Sequence, residues 1–568
     1  MALDIKQVPS RGPNAGLGLI TQPNRTELDD THVPLPQTVT WWHLLVKYGH
    51  HNHPTGKEHT MLLDNYSTTL RRLGRSVRTW CTKWQQHPRL VPPTADPAWL
   101  SEPRPSLHQL YDQAESSLPA FVRASPVAMH YLKFLGPLDW DHFPEPPLPA
   151  PWYHQPEPRA HFAAAWLIKI AEQKQSMPQL RAFLVQNPAL VWVLGFKLVP
   201  DPTCPWGFDV AASLPCHRHL SRVLRELPNA AGRFLLNSTV QLLKLALPPD
   251  VNFGDEISLD TKHILAWVVE NNPKVEVHNR FCKDRQPKGD PDCKLGCKQK
   301  KNKAPQPATH DGSATTPTQE GMPASQVQVG EYYWGYASGV VTTKVAGYGE
   351  FVLAELTQTF DKSDVSYFFP LMVQTEAHLG RKPLSGALDK AFDAFYVHEY
   401  FHNAGGFAAV PWADRADHHK TFSPAGLPLC AAGLPMPLKG TFLDKAGLVP
   451  HTCGRYVCPL LYPEKTGETC PVDHKNWPKG GCLTTLPTSV GTRLRHALDR
   501  TSDAYHQLYN QRSASERINS LALALGIERP KLRNQRSIAN HNTLLYVVLN
   551  LRAWQRLHAQ PPHQVPLC

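Results

Sequence analysis

One stretch constrains the fold of this chain more than any other. After Pro248 the patterning turns from helical to the two-residue alternation of a strand, because EISLDTKHILAWVV (256–269) alternates and is rich in β-branched residues. EYYWGYASGVVTTKV and EFVLAELTQTF resume that pattern, and the turn-like AGYG between them predicts a hairpin. LMVQTEAHLG then reads as the end of a strand. LSGALDKAFDAFYVHEYFHNAG reads as a strand-to-helix turn and a helix, and FAAVPW as the next strand. The expected fold class is α/β.

Helical patterning lies on both sides of this region. The first forty residues, rich in Pro, Gly, Asn and Thr, read as an irregular arm. From Trp41 to Trp84 the pattern is helical and basic, and a helix would put Arg71, Arg75 and Arg78 on one face. That face is either a phosphate-contacting surface or a solvated one. Residues 88–160 include PEPPLPAP and read as a spacer with short helices. Ala160 to Leu247 is helical again, interrupted near 200–215, and carries an apolar stripe (Leu220, Val223, Leu224, Leu227) beside a basic one (Arg218, Arg222, Arg225). A DNA-contacting helix and a plain amphipathic helix fit that pattern equally. A linker at 305–325, a Cys-rich insertion at 415–487, one long helix from Val490 to Gly526 and another from Ile538 to His558 complete the reading. The expected domains are 1–160, an arm and helical Pro-rich region; 161–250, a helical DNA-binding type; 251–414 with 488–568, catalytic; and the insertion.

Charge points to the partner. The formal net charge is +11, and positions 280–303 hold nine Lys or Arg against three Asp, directly after the strand that carries Asp260. Clustered basic groups displace counterions from phosphates, so a DNA strand is the expected ligand of that loop, with a solvated loop as the alternative. The longest apolar stretches, such as Leu544 to Leu551, fall short of a membrane span, and MALDIKQVPSRG has no apolar core of an export signal. A soluble, unexported protein is expected.

Two-metal phosphoryl transfer needs hard oxygen ligands converging on ions about 4 Å apart. Asp260 sits within the alternating strand, where an unpaired charge is costly. Asp389 follows the apolar LSGAL, and ligands in α/β folds collect at the carboxyl ends of strands. On a helix, Tyr509, Arg512 and Glu516 of YNQRSASE share a face, opposite a stripe of Ala514, Ile518, Leu521 and Leu525. Taken singly, each has a structural alternative: a strand-edge charge, a helix N-cap, a solvated helix face. Asp393, one helical turn after Asp389, is the competing carboxylate and reads as structural.

The order of these elements, a strand Asp, a strand-end Asp in ALDKAFD and a helical Y-x-x-R-x-x-x-E, resembles the signature of bacterial insertion-sequence DDE transposases, whose catalytic domain is ribonuclease H-like. The resemblance covers roughly 250–558, including RPKLRNQRSIANHNTLLYVVLNL, and SLPCHRHLSRVLREL looks like part of the family's amino-terminal domain. It implies that Asp260, Asp389 and Glu516 are catalytic and hold Mg²⁺ or Mn²⁺, and that Tyr509 and Arg512 hold DNA. Water then attacks a phosphodiester at the transposon end, and the freed 3′ hydroxyl attacks target DNA. Terminal inverted repeats and target DNA are the implied partners of a homodimer in the bacterial cytoplasm. The family often has a Lys seven residues after the Glu; here Leu523 stands there, which puts any Lys-dependent DNA contact in doubt. The rival readings are a catalytically inactive transposase-derived DNA-binding protein and a nuclease of the same fold without strand transfer. The three carboxylates argue against the first.

Of twelve cysteines, eight lie in 282–297 and 430–482, which suggests metal ligation or reduced thiols. Cys453, Cys458, Cys470 and Cys482, with His451 and His474 nearby, could bind one structural Zn²⁺. His278, Cys282, Cys293 and Cys297 form a second candidate quartet, with a basic loop as its alternative.

Overall fold

The computed structural model describes residues 106–147, 156–297, 332–413, 419–472, 474 and 476–559. The expectations for the arm, for Arg71, Arg75 and Arg78, and for the linker at 305–325 lie outside these residues.

Short helices α1 (Leu107–Tyr111), α2 (Ala120–Arg123) and α3 (Pro126–Leu135) come first. They are followed by α4 (Arg159–Ala171), α5 (Met177–Gln186) and α6 (Pro188–Val193). A two-residue hairpin, β1 (Val199–Pro200) and β2 (Phe208–Asp209), fills the interruption near 200–215. Then come α7 (His217–Glu226) and α8 (Asn229–Ala246). On α7 the predicted stripes separate: Leu220, Val223, Leu224 and the following Leu227 are buried, while Arg218, Arg222 and Arg225 are exposed.

The sheet begins at β3 (Glu256–Leu265) and continues with β4 (Lys294–Cys297), β5 (Tyr332–Val345), β6 (Gly349–Thr359), β7 (Ser385–Leu388) and β8 (Ala408–Ala409). β5 and β6 form the expected hairpin, closed through Gly347 and Gly349, whose positive φ values of 79° and 123° suit glycine. β3 is central. It pairs antiparallel with β5 on one side and parallel with β7 on the other, and β7 pairs parallel with β8. The architecture is mixed α/β, with the sheet order β6–β5–β3–β7–β8 and β4 extending the β6 edge.

Strand alternation divides the sheet into two faces. Ile257 and Leu259 join a core with Phe368, Leu371 and Phe401, from helices α9 (Phe368–Leu379) and α10 (Phe395–Asn403). The even-numbered Ile264 joins the other core, and Asp260 shares that parity. LMVQTEAHLG is therefore not the end of a strand. It is most of α9, which buries Leu371, Met372, Thr375 and Leu379 at helical spacing and stops at Gly380 in the left-handed conformation.

The insertion folds as a separate three-stranded antiparallel sheet of β9 (Leu438–Asp444), β10 (His451–Val457) and β11 (Leu483–Pro487), with β10 in the middle. The expected single helix over 490–526 is instead three: α11 (Val490–Ala497), α12 (Asp503–Asn510) and α13 (Ser513–Ala524). Ser502 caps α12 by accepting from the Tyr505 N–H, a new start that ends any continuous helix there. At Gln511 and Arg512 the backbone stays right-handed, so α12 and α13 join by a bend.

The last helix, α14 (Gln535–Ala559), is buried on all sides from Ser537 to Leu551, between α8, α4, α7 and β6. Three of its buried polar residues tie it to its neighbours: Asn550 Nδ2 donates to Val352 O and Thr239 Oγ1, Asn540 Nδ2 to Leu224 O and Leu227 O, and the Thr543 hydroxyl to buried Glu355. The helices of 107–247 thus share a core with the carboxyl end of the chain. Among the described residues no helix is long and apolar enough to cross a membrane.

Candidate active site

Asp260 stands in the middle of β3, opposite Val340 of β5. Its carboxyl is pushed up to about 6: burial is the main cause, the Thr261 backbone N–H and Arg512 oppose it, and Asp389 adds to it. Asn519 Nδ2 donates to Asp260 Oδ2 at 3.0 Å. Asp389 directly follows β7, the parallel neighbour of β3, and caps a short 3₁₀ turn by accepting from the Lys390 N–H at 2.7 Å. The capping alternative and the strand-end position are therefore true together.

Helix α13 lies against β3, β5 and β6. It buries Ala514, Ile518 and Ala522, followed by Leu525, whereas Leu521 is exposed. Asn519 and Ser515 are buried in its place, because this face of the helix meets the polar strand residue Asp260. Glu516, one turn before Asn519, is exposed in the first turn of α13 and is ion-paired to Arg512.

Arg512 is the common neighbour. Burial works against its charge, but Tyr509, Glu516, Asp260 and Asp389 together raise its pKa. Its guanidinium lies 5.8 Å from the centroid of the Tyr509 ring. All five residues expected from the sequence thus belong to one neighbourhood at the middle of β3 and the carboxyl end of β7. Asp260, Asp389 and Glu516 do not, however, close to within 4.8 Å of one another; the one group of described His, Cys, Asp or Glu residues that does is elsewhere.

Asp393 is not part of this set. Its buried carboxylate accepts from Arg495 Nε and Nη2 at 2.7 and 2.6 Å and from the Ala413 N–H at 3.1 Å, with His398 Nε2 at 3.4 Å. Burial alone would push it up, but the hydrogen bonds from His398 and Arg495 hold it well below the usual carboxylate range.

Two contributors had no signal in the sequence. Asp364, after β6, accepts from the Thr261 hydroxyl at 3.0 Å; burial pushes its carboxyl up, the Thr261 bond opposes this and nearby Asp389 adds to it. Gln511 Nε2 donates to Glu256 Oε2 at 2.9 Å, fixing the bend between α12 and α13 to the start of β3. A DKSDVSY segment has no period that would mark Asp364, and a Gln at a helix end carries no pattern at all.

The cysteines group otherwise than expected. Cys453 and Cys458 are five residues apart along β10 and its end, roughly 16 Å at strand rise, so they cannot share one ion. Cys458 instead lies beside Cys482, with Cys430 near; burial, and then these two thiols, push Cys482 up to about 12. Cys453 lies beside His451. His278, Cys282, Cys293 and Cys297 do not gather: Cys293 is buried, its thiol donating to Asp290 O at 3.3 Å. The described part of the basic segment, 280–297, is docked through its acids, since Asp290 accepts from the Tyr336 hydroxyl and Asp292 from the Gln535 N–H. No protein-family model and no curated protein matches this chain.

Proposed function

We propose that the chain is a DNA transposase of the DDE class with a ribonuclease H-like catalytic domain. One observation carries the reading: Asp260 on the central strand, Asp389 at the end of its parallel neighbour, and the helix bearing Glu516 tied to Asp260 through Asn519. The sheet supports it. Numbered in chain order without the short β4, the strands run third, second, first, fourth, fifth, with the first three antiparallel and the last two parallel to the first.

The donor set fits a hard divalent cation, since Asp260 and Asp389 offer carboxylate oxygens, and the burial of the Asp260 carboxyl beside the Asp389 charge favours a positive charge there. Asp260, Asp389 and Glu516 would hold Mg²⁺ or Mn²⁺, which activates the attacking oxygen and stabilises the leaving one. Asn519 holds the Asp260 carboxylate in one orientation. Glu516 must leave Arg512 to serve as a ligand. An i,i+4 pair whose Glu is exposed is worth only about 0.3–0.5 kcal/mol, so the exchange costs little and frees Arg512 for a DNA phosphate beside the Tyr509 ring.

The test is incubation of the full chain with a supercoiled plasmid carrying the DNA that flanks its coding region, with and without Mg²⁺. Metal-dependent cleavage with joined products is expected. Cleavage without joining would make it a nuclease, and binding without cleavage a DNA-binding derivative.

A further inference from the structure

A different set of ligands lies in the insertion. His451 and Asp444 are directly opposed across β10 and β9, at the two ends of the six-residue loop 445–450. Cys453, two residues on from His451, projects to the same side of β10. The ligand atoms of all three lie within 4.8 Å of one another.

We propose that Asp444, His451 and Cys453 bind one Zn²⁺ that clamps the open end of the β9–β10 hairpin, with the fourth position open to water. The inference stands apart from the transposase reading.

Geometry and chemistry both support it. With Zn–S near 2.3 Å and Zn–N near 2.05 Å, a tetrahedral angle places the sulfur and nitrogen about 3.5 Å apart. Cys453 Sγ and His451 Nε2 are 3.4 Å apart. His451 Nδ1 meets Val449 O at 2.8 Å, and because a carbonyl can only accept, Nδ1 carries the proton and Nε2 presents its lone pair to Cys453. Asp444 is oriented too, as one oxygen accepts from the Ala446 N–H at 2.8 Å. The Phe395 ring, 4.7 Å from the imidazole, covers one side, and Cys453 is buried. A thiolate, an imidazole and a carboxylate select a borderline metal over Mg²⁺ or Ca²⁺, which take oxygen ligands.

The alternative is a plain thiol–imidazole hydrogen bond with no metal. The full chain, stripped with a chelator and reloaded, decides between them. One Zn²⁺ per chain is expected, with an X-ray absorption spectrum of one sulfur and three nitrogen or oxygen scatterers. Cys453→Ser should abolish the sulfur-to-metal charge-transfer band of the Co²⁺-loaded protein, and His451→Gln should weaken Co²⁺ binding at least tenfold. Cys458→Ser should change neither. A sulfur-rich shell of three or four, loss of the band in Cys458→Ser rather than Cys453→Ser, or no bound metal would overturn the assignment. The absorption spectrum needs no substitution, so a variant that fails to fold does not shield the proposal.

Discussion

Asn519 on α13 donates a hydrogen bond of 3.0 Å to Asp260 on β3, joining residues 259 positions apart in the chain. The bond fixes the rotation of α13 against the sheet, and with it the position of Glu516, which lies three residues earlier on the same side of the helix. Gln511, bonded to Glu256, fixes the other end of the bend.

Asp260→Asn, Asp389→Asn and Glu516→Gln are each expected to abolish metal-dependent plasmid cleavage while leaving DNA affinity within a fewfold of wild type, since they remove ligands and not anchoring cations. Asn519→Ala should act through position: cleavage falls by one or two orders of magnitude, and denaturant unfolding shows a loss of about 1.5–3 kcal/mol for a hydrogen bond to a buried carboxylate. Near-normal cleavage in any of the three carboxylate variants would remove that residue from the site.

The sheet and the order of the carboxylates were legible because both rest on local pattern. The sequence of β3 alternates, β5 and β6 are rich in aromatic and β-branched residues on either side of a turn, and Asp389 follows an apolar run that must end where the strand does. What lay beyond reach depends on tertiary partners. LMVQTEAHLG is as apolar as a strand, and only its packing against β5 and β6 makes it a helix. Leu521 continues the apolar stripe of Ala514, Ile518 and Leu525 yet is exposed, because period alone cannot know that a neighbouring strand offers Asp260, which draws Asn519 inward instead. Cysteine spacing misled for a similar reason. Cys453 and Cys458 look adjacent in sequence, but an extended strand holds them apart, and the partner of Cys453 is the cross-strand pair His451 and Asp444.

Arg512→Ala separates a DNA contact from a structural one. Its guanidinium serves Glu516 in the free protein, and loss of that i,i+4 pair should by itself shift stability by only about 0.3–0.5 kcal/mol. If it holds a phosphate in the complex, the slope of log affinity against log salt falls by about one. An unchanged slope, read by fluorescence anisotropy across a salt series, would assign Arg512 to packing alone.

Asp393→Asn should be far more damaging to the fold than to any ligand set. The carboxylate is fully buried between Arg495, Arg500 and His398, and removing its charge leaves the two guanidinium groups without their counter-charge. Breaking such a buried pair costs about 3–5 kcal/mol. The midpoint of urea unfolding should fall accordingly, and an unchanged midpoint would show that the cluster does not hold α11 to the sheet domain.

Stability should also fall on mild acidification, and His496 is a principal reason. Burial, then Arg495 and His419, push its pKa down to about 4, against about 6.5 in an unfolded chain. Between pH 6.5 and 4 the unfolded state therefore binds the proton that the folded state refuses, so stability rises with pH across that window and is lost as pH drops through it. A single such group contributes a slope of at most about 1.4 kcal/mol per pH unit. The hydrogen bond explains part of the refusal: the Lys420 N–H donates to His496 Nδ1 at 3.2 Å, and a proton on that nitrogen would break the bond. His541, also buried and pushed well down, works in the same direction, whereas Asp260, raised to about 6, binds its proton in the folded state first and opposes them between about pH 6 and 4, so the share of His496 is read from the difference between variant and wild type. His496→Gln keeps an acceptor for Lys420 but does not titrate. Its unfolding free energy, measured from pH 7 to 4.5, should decline less steeply than that of wild type; parallel curves would mean that His496 takes up its proton equally in both states.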